Sequence, residues 1–248
     1  MRKFSLVIAG LAVMLGLSAP AFASNIIVFT NSPGPESWMP GMGGQVGAGI
    51  YTGTLNGTTM SFICDDVYNT VGTGSTWDVN VFSLSNVATK GNGWFAGSPY
   101  TASGAGLGGT VQQDYDMVAY LANMLLTHTI PASNSGEVNA VQWAIWDLMD
   151  HPANSENIPD PGGAGCSLSS TNNDCGQYWV EYAWNNGKGY SNPNIEIFTP
   201  VGDITSGPGT GNPGQEWIGE TPEPLSMLLL GTFLSLAGGL IGRKKVRS

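Results

Sequence analysis

The chain has 248 residues, with 18 acidic against 8 basic side chains and a formal net charge of −10. Six of the eight basic residues crowd into the two ends, so the stretch 24–221 holds 17 acids and only two lysines, Lys90 and Lys188. Such a surface repels phosphate backbones and excludes nucleic acid as a partner, while the aromatic and β-branched content is too high for a disordered chain.

The N-terminus has the three parts of a secretory signal: basic Arg2 and Lys3, an uncharged apolar run from Phe4 to Leu17, and the small-x-small site Ala21-Phe22-Ala23. Cleavage by signal peptidase is expected after Ala23, making residues 1–23 a removable peptide rather than a retained anchor. Ile26 to Phe29 then reads as a strand, stopped by Asn31-Ser32-Pro33-Gly34-Pro35. After a glycine-rich stretch from Gly41 to Gly49, the segments Ile50–Leu55 and Thr58–Cys64 flank Asn56-Gly57, the dipeptide that supplies two positive-φ residues to a type I′ turn. A β-hairpin is predicted there. Trp77 to Leu84 alternates as a further strand, and residues 86–113 read mostly as loop.

The period then changes. Asp114 to His128 places Val118, Leu121, Ala122 and Leu125 on one stripe and predicts a helix. A second helix is predicted to about Asp150, with Ser135 as its cap, Glu137 in its first turn, and Val138, Val141, Ile145 and Leu148 as its stripe. Pro159-Asp160-Pro161-Gly162-Gly163 leads into Cys166 and Cys175, a short helix follows from Gln177 to Trp184, and Asn194 to Thr199 is a last strand. The expected fold is α+β: an antiparallel sheet or sandwich, with two or three central helices packed on it, in a domain spanning 24–206. Gly207 to Gly214 suggests a flexible linker over 207–221.

The tail, 222–248, carries its own pattern. Pro222-Glu223-Pro224 precedes an apolar run at 225–241, and Arg243, Lys244, Lys245 and Arg247 close the chain. At ~1.5 Å per residue this run reaches roughly 25 Å, enough to cross a hydrocarbon core, and the basic cluster favours a cytoplasmic C-terminus. The order of tripeptide, span and basic cluster resembles the PEP-CTERM sorting signal. That resemblance implies a transient anchor in the inner membrane, removal of the tail by an exosortase-type membrane protease, and delivery to the cell surface or an extracellular matrix rich in exopolysaccharide. An ordinary single-pass anchor is the alternative.

An oxidising destination makes three cysteines informative. Cys166 and Cys175 sit nine apart across a Ser/Asn-rich loop and are expected to pair. Cys64 is left over, and a lone thiol outside the cell is expected to be buried or chemically occupied. Period two places Met60, Phe62 and Cys64 on one face of their strand. On the second helix Gln142 lies at the edge of the apolar stripe, where an unpartnered amide costs about 1–3 kcal/mol. A buried thiol and a buried amide can be each other's partner: condensation expels ammonia and leaves a Cys–Gln thioester.

Phe62-Ile63-Cys64-Asp65-Asp66 followed by Val141-Gln142-Trp143-Ala144-Ile145-Trp146 resembles the two motifs of bacterial surface thioester domains. The resemblance implies that Cys64 supplies the sulfur and Gln142 the acyl group, that Phe62, Asp65, Asp66, Trp143 and Trp146 surround the bond, and that an amine or hydroxyl on a surface target is captured covalently. The departures are a phenylalanine two before Cys64 rather than next to it, and Val141 where threonine is frequent. The wider layout, down to Gln215-Glu216, is similar to a group of PEP-CTERM proteins.

Other chemistry is thinner. No Asp-x-Asp-x-Asp-Gly loop supports calcium at Asp65, Asp66, Asp160 or Asp174, and Asp66 is expected to serve a turn. His128 and His151 each follow a predicted helix, where a cation complements the dipole. Neither histidine sits in a signature that would make Cys64 a nucleophile, and no nucleophile-elbow, zinc-helix or phosphate-loop motif is present, so no cofactor or metal is expected. Trp94, Phe95, Trp179 and Trp184 can stack on sugars or pack internally. The expectation is a non-enzymatic surface or matrix protein. Its alternatives are a purely structural or carbohydrate-binding matrix component, and a secreted hydrolase.

Overall fold

A computed structural model describes residues 25–33, 38–41, 44–67, 69, 71–87, 110–150, 160–162, 166 and 171–221. The expected signal peptide, the expected sorting tail with its apolar run, His151, Trp94 and Phe95 lie outside the described residues. Among those described, no helix is long and apolar enough to cross a membrane.

The strands are β1 (Asn25–Asn31), β2 (Trp38–Gly41), β3 (Gly44–Gly47), β4 (Tyr51–Leu55), β5 (Thr58–Cys64), β6 (Thr76–Ser83), β7 (Ile195–Pro200) and β8 (Trp217–Glu220); the helices are α1 (Val111–Leu126), α2 (Ser135–Asp150) and α3 (Gly176–Asn186). Six strands close into a barrel in the order β1-β4-β5-β8-β7-β6, every pairing antiparallel. β2 and β3 form a separate antiparallel pair within the glycine-rich stretch. The expected sheet or sandwich is therefore corrected to a closed barrel. Closure depends on β1 pairing with both β4 and β6, which no local periodicity reports.

The hairpin between β4 and β5 turns on Asn56 (φ 52°) and Gly57 (φ 81°), as the Asn-Gly dipeptide predicts. Period-two alternation then sorts β5. Met60, Phe62 and Cys64 join the barrel interior with Phe29, Tyr51, Trp77, Phe198 and Trp217, while Ile63 faces the helices together with Ile197 and Ile218. Trp217 is the hub of the interior, its ring 4.9–5.8 Å from those of Phe29, Tyr51, Phe62 and Trp77.

α1 packs on the barrel at β5 and β8, α2 meets it at the end of β5, and α3 packs on α1 and α2. α1 begins at Val111, three residues earlier than expected, because Thr110 and Gln113 form a reciprocal capping box. α2 starts at Ser135 itself, so Ser135 is a helical residue rather than the cap; the preceding Asn134 donates its side-chain amide to Glu137 at 2.6 Å. α3 is capped by Asp160, whose carboxylate accepts from the main-chain N–H groups of Gly176 (2.9 Å) and Gln177 (3.0 Å). Beside that cap, Cys166 and Cys175 form a disulfide with their Cα atoms 5.5 Å apart.

The expected linker over 207–221 is the largest correction. Residues 217–220 are strand β8, inserted between β5 and β7. The residues before it are pinned by Ile204 N–H to Asn212 C=O (2.7 Å), Thr205 N–H to Thr76 C=O (2.7 Å) and Ser75 Oγ to Pro208 C=O (2.5 Å). Gly207, Gly209 and Gly211 have φ of 84–89°, so these glycines make tight turns rather than a loose tether.

Candidate functional site

Cys64 ends β5, and its side chain is fully buried. Its main-chain carbonyl accepts two hydrogen bonds from one face of α2, from Gln142 Nε2 at 2.6 Å and from the indole Nε1 of Trp146 at 3.1 Å. The spacing of four residues sets these two side chains one turn apart, which lets a single carbonyl serve both. Gln142 is itself fully buried, and its Oε1 accepts from the main-chain N–H of Gly49 at 3.1 Å. Gly49 has φ of 100°, a conformation that side chains resist, and this turns its N–H onto the amide. The glutamine is thereby held at both ends.

The thiol donates to the main-chain carbonyl of Asp66 at 3.0 Å. Asp66 in turn closes a turn as expected, its carboxylate accepting from Asn69 N–H (3.1 Å) and Asn69 Nδ2 (2.7 Å). Gln215 clamps the same loop: its Nε2 donates to the Asp66 carbonyl at 2.9 Å, and its Oε1 accepts from Trp217 Nε1 at 3.1 Å. Tyr51 lies on the other side and donates its hydroxyl to Gly47 C=O at 2.6 Å. Burial, and secondarily the nearby Cys64, push the Tyr51 phenol well above its ordinary pKa, so it stays protonated and remains a donor. A cavity of about 240 Å³ lies against this constellation, its wall including Tyr51, Val67, Asn69, Trp146 and Gln215.

The residues expected around the pair divide. Phe62 lies in the barrel interior with Cys64, Trp146 bonds directly to Cys64, and Asp65 is fully buried beside it. Trp143 instead abuts Gly176 at the start of α3. Gly49, Tyr51 and Gln215 were not singled out as site residues in the sequence; Gly49 lay in a glycine-rich stretch, and nothing local marks its N–H as the donor.

The remaining sequence candidates sit elsewhere. His128 is exposed just past α1, whereas the Cys64 thiol is fully buried. Of the two roles open to Trp179, it takes internal packing: it is buried and donates Nε1 to Asn173 C=O at 2.8 Å. Trp184 is half-buried, with the Lys188 ammonium 3.6 Å from its ring centroid. Asp160, Cys166 and Cys175 are the one grouping of three potential metal ligands among the described residues; its sulfurs are joined to each other and its carboxylate caps α3.

Chemically, the arrangement is an enclosed thiol held on the Asp66 carbonyl and a primary amide held on the main-chain carbonyl of the same cysteine, with the amide oxygen polarised by a single N–H. Comparison with protein-family models, with curated proteins and with solved structures returns no match.

Proposed function

We propose that this chain is an exported surface or matrix protein, delivered by its signal peptide and PEP-CTERM-like tail, whose barrel domain attaches covalently to a target through a Cys64–Gln142 thioester. The observation that carries the reading is the double anchorage of Gln142, by Gly49 N–H at its oxygen and by the Cys64 carbonyl at its nitrogen. Bond formation has Cys64 Sγ add to the Gln142 amide carbon. The Gly49 N–H takes the developing negative charge on oxygen. The thiol proton leaves with the amide nitrogen as ammonia. Capture then has a target amine or hydroxyl add to the same carbon; the C–S bond breaks, and the proton of the nucleophile passes to the Cys64 thiolate. The acyl group stays on the target, so the event is single-use and the protein is not a turnover catalyst.

Burial of both groups supports a long-lived bond, because hydrolysis needs water at the acyl carbon. The Cys166–Cys175 disulfide suits an oxidising compartment. Intact mass of the purified domain tests the reading: it should be lighter by one ammonia, and Cys64→Ala and Gln142→Ala should each restore the full mass. A wild-type mass equal to the sequence mass would overturn the thioester. Mass spectrometry of the native C-terminus tests the sorting step, with an end near Pro222 expected and an intact Ser248 in surface fractions counting against it.

A further inference from the structure

A second concavity lies away from Cys64. It is an open cleft of about 310 Å³ between the start of α1 and the loop after α3, with Gln112, Asp116, Tyr190, Ser85 and Ser191 in its wall. Two of its donors are committed within the protein. Gln112 Nε2 is spent on Leu84 C=O (2.9 Å) and Asp116 Oδ1 (2.8 Å), which fixes the orientation of the amide. Gly189 N–H is spent on Asp116 Oδ2 at 3.2 Å. Two donors are thus used internally, whereas Gln112 Oε1 has no partner among the described residues, the Asp116 oxygens keep further lone pairs, and the hydroxyls of Tyr190, Ser85 and Ser191 in the wall can donate or accept. A ligand rich in hydroxyl groups, each both donor and acceptor, matches this wall.

The cleft also opens onto aromatic surface. Tyr190 meets Tyr120 edge to face at 5.4 Å; Tyr120 stacks on Tyr182 at 6.1 Å, and Tyr182 neighbours Tyr178 at 5.9 Å. All four tyrosines are half-buried, forming a continuous band across α1 and α3. Phenol rings carry an apolar face and a polar tip, and their spacing is close to that of successive rings in an extended sugar chain. Among the described residues none lining the cleft is basic, so they offer no partner to a sulfated, phosphorylated or uronic ligand.

We infer that the cleft and its tyrosine band bind a neutral glycan, one pyranose seated between Tyr190 and the Gln112–Asp116 pair and the following sugars running along Tyr120 and Tyr182. Hydroxyl groups of the seated ring donate to Gln112 and Asp116, and its C–H face packs on Tyr190. The volume is at the small end for a ligand pocket, suiting a single ring. This site uses none of the Cys64 machinery and is independent of the thioester.

Titration calorimetry of the full chain with linear hexasaccharides of glucose, mannose and N-acetylglucosamine tests it, with hexagalacturonate and spermine as charged controls. At least one neutral hexasaccharide should bind, and Tyr190→Ala should weaken it by roughly tenfold, the order expected for losing an aromatic contact. Asp116→Asn, which keeps the shape of the cleft, should also weaken it, whereas Cys64→Ala should not. The inference is overturned if none of the three neutral sugars binds, if spermine or hexagalacturonate is the only binder, or if Tyr190→Ala and Asp116→Asn, with melting curves like wild type, bind as wild type does.

Discussion

The side-chain amide of Gln142 reaches the main-chain carbonyl of Cys64 at 2.6 Å across 78 residues of sequence. This contact ties α2 to the end of β5, joining the helical layer to the barrel at one buried point.

Replacing that amide tests its structural share. Gln142→Leu keeps the bulk but leaves Gly49 N–H without an acceptor, while the Cys64 carbonyl retains Trp146. One buried orphan donor predicts a loss of about 1–3 kcal/mol in urea unfolding. A change below about 0.5 kcal/mol would mean that the amide is dispensable to the fold.

Asp114 gives a pH dependence. It lies in the first turn of α1, where the helix dipole favours a carboxylate, yet burial wins and raises its pKa from 3.8 to about 7. The folded state therefore holds a proton that the unfolded chain releases near pH 4, so this contribution is complete at acid pH and declines as pH rises from about 4 to about 7. Asp114→Asn should flatten that decline and raise Tm at pH 8 by roughly 2–4 °C. Asp116 and Glu196, also shifted upward chiefly by burial, leave a residual slope in the variant. Melting curves at stepped pH decide it; an unchanged slope would show Asp114 to be solvated.

Glu216 is a clip between layers. Fully buried, it accepts from Tyr115 Oη on α1 at 2.7 Å and from Thr199 Oγ1 on β7 at 2.5 Å. Tyr115→Phe and Thr199→Val should each cost about 1–3 kcal/mol by chemical denaturation. The two share one carboxylate, so the double variant should depart from additivity.

The disulfide should matter at one place. Joining Cys166 to Cys175 fastens the segment beside the Asp160 cap of α3. Reduction should lower stability by about 2–3 kcal/mol, read as the difference between melts with and without reductant, while the mass state of Cys64 stays as it was. Equal melts would show the bridge to be incidental.

Much of this was legible in the sequence wherever one period or one dipeptide decides the outcome. Asn56-Gly57 specified its hairpin, and the stripes of α1 and α2 specified helices whose buried faces are the ones observed. The burial of Cys64 and Gln142 was likewise expected, but the contact between them runs from the amide to the Cys64 main-chain carbonyl, which no side-chain pattern reports, while the thiol donates to Asp66 C=O. Topology was not legible. Strand β8 is only four residues long, too short to show alternation, and it follows glycines that look like a tether but make turns. Gly49 and Tyr51 stayed hidden for a similar reason, because their roles depend on a backbone orientation and on a neighbour far along the chain. The four tyrosines of the proposed glycan band come from two helices and a loop, and only packing makes them a row.

The position of β8 has a consequence for how the chain is made. It is the stave that seals the barrel, and it comes last, about 150 residues after its partner β5 has been synthesised. Until it arrives, β5 and β7 present open hydrogen-bonding edges, and the aromatic hub around Trp217 has no centre. A chain read out from its N-terminus thus remains unsealed, and prone to sticking to its neighbours, until almost the final stretch of the domain is available. A stop just before Trp217 would leave α1, α2 and α3 intact and yet yield an open, aggregating sheet.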